Sequence, residues 1–346
     1  MDRATAYAKR VVTGDVIAGP HVRAACKRHL RDLERTDLEW RVEEAERAIR
    51  FFPAVLTVEI ERKDEFGELV SEVVPFELHE SQQFIVGSLC GWYRNGVRRF
   101  RTAYIEEAKG QGKSPMVAGL GLYFMLCLGK ERAEVYAAAA QKEQAQICFR
   151  DAVSMWQRSP ELSGRLVPRG QNPVHELTHL ESGSFFRPIS SENKGRSGAR
   201  VFFAAIDEVH EHPNGDVIGM LRAGVKSAQG LIFEITNSGF DRNSICYEHH
   251  EYSIKVVSGV VEQGDSDGWF AYVCALDPHD DPFKDESCWV KANPLLGVTV
   301  QPDYIRGQVQ EARGMQDAIS SIQLKLRDGA NLEAVRDRLR ALLPLE

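Results

Sequence analysis

The chain opens with helical spacing of apolar positions. Ala4 to Val12 and Gly19 to Arg35 form short amphipathic stretches, and Arg41 to Arg50 interleaves acidic and basic residues at helical intervals. Val55 to Ile60 and Leu69 to Phe76 then flank the polar turn Lys63-Asp64-Glu65-Phe66-Gly67, a pattern that predicts a β-hairpin. Leu78 to Trp92 returns to helical spacing. From there strands and helices alternate. Phe100 to Ile105 predicts a strand, with a Gly-containing loop and an apolar helix from Lys113 to near Leu128 after it. Glu134 to Ala139 predicts a second strand and Gln141 to Trp156 a helix. Phe185 to Ser190 and Val201 to Ile206 read as strands, Asp216 to Lys226 as a helix, and Leu231 to Ile235 as another strand. Val201 to Ile206 is wholly apolar, as a strand covered on both faces requires. Alternation of this kind implies a largely parallel sheet between helices, with functional residues at the carboxyl ends of its strands.

After Ser238 the pattern loses regularity. Asp265-Ser266-Asp267-Gly268 and Asp277-Pro278-His279-Asp280-Asp281-Pro282 mark loops, and Gln316 to Leu343 reads as one or two charged helices. The 346 residues suit one large core with helical additions. The expected organisation is a helical segment over 1–52, the core over 53–250, a lid or linker subdomain over 251–315 and a helical tail over 316–346.

Charge and composition narrow the reading. The formal net charge of −7 argues against tight autonomous binding of duplex DNA, while leaving room for transient contacts through a local patch. No stretch approaches the roughly 18 uninterrupted apolar residues of a membrane span, so no membrane partner is expected. The seven cysteines are dispersed without a CxxC pair, which suggests neither a disulfide framework nor a zinc site.

The chemistry concentrates in two places. Glu107-Ala108-Lys109-Gly110-Gln111-Gly112-Lys113-Ser114-Pro115 follows a strand and opens a helix, the setting of a phosphate-binding loop. Gly110 and Gly112 let the backbone approach phosphate, Lys113 would reach the outer phosphates, and the Ser114 hydroxyl would ligate magnesium. Pro115 sits where its missing N–H is not needed. Glu107 stands where the GxxxxGK[ST] pattern has its first glycine, and a Gly-rich turn with an incidental lysine is the bland alternative. The second place is Val201 to Ile206 followed by Asp207-Glu208. Asp207 at the strand tip can hold the metal, and Glu208 can polarise an attacking water. Solvated acids capping a strand would look the same in isolation; in order and setting together, the two motifs describe a P-loop NTPase. Thr236-Asn237-Ser238, after the next buried strand, could sense the γ-phosphate and couple hydrolysis to movement, or simply end the strand. Gln82, in Leu78-His79-Glu80-Ser81-Gln82-Gln83-Phe84, could read adenine through its amide or be an ordinary polar residue.

With these pieces placed, the chain resembles the large subunit of tailed-phage terminase, the ATPase that pumps DNA into an empty capsid. The resemblance runs from near Tyr7 to near Met315. It rests on Gly14-Asp15-Val16-Ile17-Ala18-Gly19, Ala25-Cys26-Lys27-Arg28-His29-Leu30-Arg31-Asp32-Leu33, the two motifs above, Asp207-Glu208-Val209-His210, Thr236-Asn237-Ser238 and Trp289-Val290-Lys291-Ala292-Asn293-Pro294. It implies ATP and Mg2+ as ligands. Lys113 and Glu208 take the catalytic roles, Gln82 and Lys109 to Pro115 bind nucleotide, Ser114 and Asp207 hold metal, and Thr236, Asn237 and Ser238 provide coupling. It also implies a host-cytoplasmic protein at the procapsid portal, a homo-oligomeric ring, a terminase small subunit as partner and transient contact with double-stranded DNA. A neighbour's arginine would complete the site, with Arg222 and Arg242 as candidates. Ser81 and Lys109 depart from the family's usual tryptophan and arginine.

The resemblance stops near Met315, and the charged residues beyond it, Asp317, Asp328, Glu333 and Asp337, lack the strands of a nuclease core. The expectation is therefore a motor portion without the C-terminal nuclease. A DExH-type nucleic-acid helicase or translocase is a competing reading, disfavoured because no second motor-like domain or Gln-x-x-Gly-Arg-x-x-Arg motif follows. A degenerate ATPase kept as an assembly subunit is a third, favoured only by the lost glycine.

Overall fold

The computed structural model describes residues 1–64, 66–190, 199–227, 229–239, 241–261 and 263–314. The predicted tail over 316–346 lies outside the described residues.

Helices α1 (Arg3–Thr13), α2 (Pro20–Asp32) and α3 (Val42–Val55) carry the amphipathic N-terminal stretches. The Asp2 carboxylate caps α1 by accepting the Thr5 N–H at 2.9 Å. Between α2 and α3, the short β1 (Glu39–Trp40) pairs antiparallel with β4 (Trp92–Arg94), which β5 (Val97–Arg98) extends. The predicted hairpin is β2 (Thr57–Lys63) and β3 (Leu69–Pro75), and α4 (Glu80–Gly91) follows it.

The alternating part then unfolds as read, with two further strands: β6 (Thr102–Glu106), α5 (Lys113–Leu126), β7 (Glu134–Ala139), α6 (Lys142–Arg158), β8 (Leu166–Arg169), β9 (Glu176–His179), β10 (Phe185–Ser190), β11 (Val201–Ile206), α7 (Asp216–Gly224) and β12 (Leu231–Thr236). The two additions, which the pattern does not predict, are β8 and β9. After α8 (Ile245–Ser258) and the short α9 (Gln263–Ser266) comes β13 (Trp269–Val273), then α10 (Trp289–Ala292) and α11 (Pro302–Gly314).

One eight-stranded sheet organises the molecule, in the order β13-β6-β12-β11-β7-β10-β9-β8. All pairs from β13 to β10 are parallel; β9 and β8 add an antiparallel edge. The sheet is covered on both faces, so β11 and β12 are buried along their whole length. One face packs against α1 to α6. There Phe124 of α5 meets Phe203 of β11 with ring centroids 4.8 Å apart, and neither ring touches solvent. The other face packs Ile206, Ala204 and Ile232 against Val217, Ile218 and Leu221 of α7 and Cys246 of α8. A small third cluster joins Leu276, Trp289, Ala292, Val300, Ile305 and Val309.

Two expectations need correction. Trp269 to Leu276 is an apolar run that the flanking acidic loop signals mask, and its first five residues form a strand at the edge of the main sheet. The boundaries at 52 and 250 fall inside α3 and α8. The first 52 residues pack into the core itself. Ala4, Tyr7, Ala8, Val11, Val22 and Cys26 belong to the main apolar cluster. Arg99, almost wholly buried, lies 2.9 Å from Asp32 of α2 and donates to Asp267 ahead of β13 at 2.9 Å. Arg35 donates to both Asp267 oxygens, at 2.7 and 2.9 Å. Arg28 reaches the carbonyls of Trp269 and Ser266. Such charges are tolerated in the interior because they pair and hydrogen-bond. They bolt the N-terminal helices to the segment entering β13.

Candidate nucleotide-hydrolysis site

The strand order explains the site. β12 lies between β6 and β11, so the chain leaving its carboxyl end stands between the loop after β6 and the acids after β11.

The loop after β6 runs from Glu107 to Gly112. Gly110 (φ +79°) and Gly112 (φ +68°) adopt left-handed backbone that side chains resist. A Cβ on Gly110 would sit 2.8 Å from Val300, and one on Gly112 would sit 3.1 Å from the Gln82 amide nitrogen. The loop delivers the chain into α5, whose N-terminus starts at Lys113 and presents unpaired backbone N–H groups. The Lys113 ammonium is buried and donates to the carbonyls of Glu107 (2.9 Å) and Ala108 (2.7 Å) and to Asn237 Oδ1 (3.0 Å). Burial pulls its pKa below the usual lysine value, against the opposing pull of Glu107, Glu208 and Asp207.

Asp207 and Glu208 leave the tip of β11. The Asp207 N–H extends the ladder to the Ala138 carbonyl at 2.8 Å, and its Oδ1 accepts the Glu208 N–H at 2.9 Å. Glu208 holds a left-handed backbone (φ +47°, ψ +57°), strain of a kind that persists where function fixes a side chain. The two carboxyls are driven apart electrostatically. Burial, then the Glu208 charge, lifts Asp207 to about 6. Burial pushes Glu208 upward too, but His210, Lys113 and Lys109 outweigh it and hold the group below the usual carboxylate range.

Asn237 joins the two halves. Its Oδ1 accepts from Lys113, and its Nδ2 donates to both Glu208 oxygens at 3.3 and 3.2 Å. Thr236 supports the same tip: its carbonyl accepts the Glu107 N–H at 3.2 Å, and its Oγ1 accepts the His210 N–H at 3.2 Å. Ser238 follows, half-buried.

Gln82 sits against the loop. Its Oε1 accepts the His79 N–H at 3.1 Å, closing a capping box at the start of α4. Its Nε2 donates to the carbonyls of Gly112 (3.3 Å) and Gln111 (3.4 Å). Gln111, fully buried, accepts the Leu295 N–H at 2.8 Å and donates to Asn293 Oδ1 at 3.3 Å, which ties the loop to the end of α10. Ser114 and Pro115 are half-buried in the first turn of α5, and Lys109 is exposed. Of the two arginines named from the sequence, Arg222 donates to the buried Glu234 of its own chain at 2.9 Å, whereas Arg242 is exposed in the turn after β12.

Sequence reasoning gave no role to His210, whose Nδ1 lies 3.2 Å from Glu208 Oε2 and 3.0 Å from Thr236 Oγ1. The Asp207-Glu208-Val209-His210 spelling was its signal. It also missed the Gln111–Asn293 tie, whose signal was the Trp289 to Pro294 segment.

The oxygen donors fit a magnesium ion: the Ser114 hydroxyl and the Asp207 carboxylate are hard ligands, and a cation would relieve the crowding that raises Asp207. Among the described residues no cluster of three or more His, Cys, Asp or Glu could hold a metal alone. The described helices include none long and apolar enough to cross a membrane.

A parallel sheet with a Gly-Lys-Ser loop after β6, an acid pair after β11 and a bridging asparagine after the strand between them defines the class of P-loop nucleoside triphosphatases. Within that class the chain belongs to the terminase large subunit family. The family model for the terminase large subunit ATPase domain matches residues 80–255. The model for the endonuclease domain of the same subunit matches 263–338. This second match corrects the expectation that the likeness ends near Met315 and conflicts in part with the expected lack of a nuclease portion; it takes in β13, α10 and α11 and runs on beyond the described residues. Protein YmfN of Escherichia coli (strain K12) is 29% identical over 157 residues, which are 45% of this chain and 33% of that protein. The HK97 bacteriophage large terminase shares the fold with a TM-score of 0.66 at 18% identity, over 81% of this chain and 55% of its own. The chain therefore spans about half of that terminase and aligns with a third of YmfN.

Proposed function

We propose that this chain is an ATP-hydrolysing motor that drives viral DNA into a procapsid. The observation that carries the proposal is Asn237, hydrogen-bonded at once to the phosphate-loop lysine and to the glutamate after β11.

The backbone at the α5 N-terminus and Lys113 hold the phosphates of ATP, and Gly110 and Gly112 keep the approach open. Ser114 and Asp207 would hold Mg2+, which when bound would supply neutralising charge to the phosphates. Glu208, kept ionised by His210 and Lys113, orients the attacking water and accepts its proton. Lys113 must exchange the carbonyls of Glu107 and Ala108 for phosphate, which alters its bond to Asn237. Asn237 in turn holds Glu208, so the tip of β12 couples occupancy of the loop to the posture of the catalytic acid, with Thr236 anchoring that tip and Ser238 next along the chain. Gln82 acts chiefly on the loop, since its amide is spent on His79 and on the carbonyls of Gln111 and Gly112. A cavity of about 300 Å3 next to His79, lined among others by Tyr7, Arg10, Ile17, Tyr272 and Lys291, offers room for the purine.

The partners are those of a packaging motor: a ring of identical chains on the portal in the host cytoplasm, a small subunit and duplex DNA touched transiently. A neighbour's arginine completes the site; of the two candidates, Arg222 is paired with Glu234 of its own chain and Arg242 is exposed in the turn after β12. The test is ATP turnover with and without intact duplex DNA, together with nuclease protection of DNA by procapsids. Duplex-stimulated turnover and ATP-dependent protection are expected, both lost in Lys113→Ala, which by calorimetry no longer binds nucleotide. Unwinding of a forked duplex, without stimulation by intact DNA, would favour the helicase reading instead.

A further inference from the structure

Glu107 occupies the position of the loop motif's first glycine, and its side chain has no part in the mechanism above. Alternation along β6 decides where it points. Tyr104 and Glu106 share one face, where Glu106 receives the Tyr104 hydroxyl at 3.0 Å and His250 at 2.6 Å. Ala103 and Ile105 face the main apolar cluster with Tyr272, the strand partner of Ile105. Glu107 continues that second face. Its residue is 2% exposed, and among the described residues neither carboxyl oxygen has a hydrogen-bond partner. A buried carboxylate without hydrogen bonds is costly unless a charge offsets it or a proton neutralises it.

The offsetting charge is Lys113, held by the carbonyls of Glu107 itself and of Ala108. The other groups around the carboxyl are Tyr272 of β13 and Cys274 just after it, Tyr7 of α1 through its 2.8 Å contact with the Tyr272 hydroxyl, and Asp207 and Glu208 across Lys113. The two tyrosines are raised well above their usual value by burial and stay neutral. When phosphates enter the loop, the Lys113 charge is shared with them and a polyanion is added nearby. Both changes disfavour a charged Glu107.

We propose that Glu107 takes up one proton from solvent, onto a carboxyl oxygen, when nucleotide phosphates enter the loop. The inference rests on the nucleotide-binding reading of that loop. Before binding, burial, opposed by Lys113, raises the group to about 7. Binding raises it further. Affinity is therefore highest and flat below the free-state value, where Glu107 is protonated in both states. It falls by about tenfold per pH unit above that value and levels off beyond the bound-state value.

The test is calorimetric titration of the chain with MgADP from about pH 6 to 9, in buffers of different ionisation enthalpy. Wild type is expected to show buffer-dependent heats reporting proton uptake and a dissociation constant that rises with pH. Glu107→Gln and Glu107→Gly, the latter restoring the motif's glycine, are each expected to remove that slope and bind more tightly than wild type at the alkaline end. Comparing variant with wild type cancels the ionisation of Asp207 and of the nucleotide. Wild type that binds with buffer-independent heats overturns the proposal and leaves the nucleotide site standing. A slope that survives in both variants assigns the proton elsewhere and also overturns it. No binding by wild type at any pH removes both readings.

Discussion

Asn237 is a short amide whose two ends face opposite charges, Lys113 on one side and Glu208 on the other. Removing it leaves a buried ammonium and an ionised carboxylate each short of a partner, while the phosphate-binding backbone is untouched. Asn237→Ala should lower kcat by about a hundredfold, the magnitude seen when one preorganised donor is lost, with a small change in nucleotide affinity. Steady-state kinetics beside calorimetric Kd values check this; an unchanged kcat with weakened binding would reduce Asn237 to a loop anchor. The residues of this site were legible because their types are demanding. Gly-Lys-Ser opening a helix and Asp-Glu ending an apolar strand each need a specific backbone setting. Their contacts were not legible. Nothing local to Asn237 says that β12 runs between β6 and β11, so its bridging place is a property of strand order. Gln82 shows the converse: its side chain was noticed, but its amide is consumed by a capping box and two loop carbonyls that only the packing of α4 brings near.

At the scale of elements, the predicted strands and helices between β6 and β12 follow the apolar pattern to within a few residues, because buried parallel strands write unbroken apolar runs, which the short antiparallel β8 and β9 do not. β13 was hidden in the same kind of run, Trp269 to Leu276, because acidic turn residues on both sides suggest loop. Its edge position matters for the N-terminal helices. α2 reaches β13's approach through Asp267, which accepts from Arg35, Arg94 and Arg99. Asp267→Ala strands the buried Arg99 with Asp32 as its remaining counter-charge. The expected loss is about 3 kcal/mol of unfolding free energy, read as a lower urea midpoint at unchanged slope. A midpoint like that of wild type would show that α2 is held by apolar contacts alone.

For the whole molecule, one sheet gathers residues distant in sequence at one edge. Glu107 to Ser114, Asp207-Glu208 and Thr236 to Ser238 come from three strand ends, Gln82 from α4 and Asn293 from the segment after α10. The phosphate loop is thus tied to α4 through Gln82 and to the segment after α10 through Gln111 and Asn293. A change at the loop would be felt in α4 and in the cluster around Trp289, as the proposed motor requires. Family membership was readable from scattered signatures, whereas the extent of the family likeness was not, since the region beyond β13 carries few residues of demanding type.

The role proposed for Glu208 is to activate water at a magnesium nucleotide. The most direct measurement is ATP turnover by wild type and Glu208→Gln, paired with nucleotide affinity in each. Wild type should hydrolyse ATP only with magnesium, and Glu208→Gln should bind as tightly yet turn over at least about a hundredfold more slowly. Equal turnover in the two proteins, or none in wild type even with DNA and procapsids present, would contradict it.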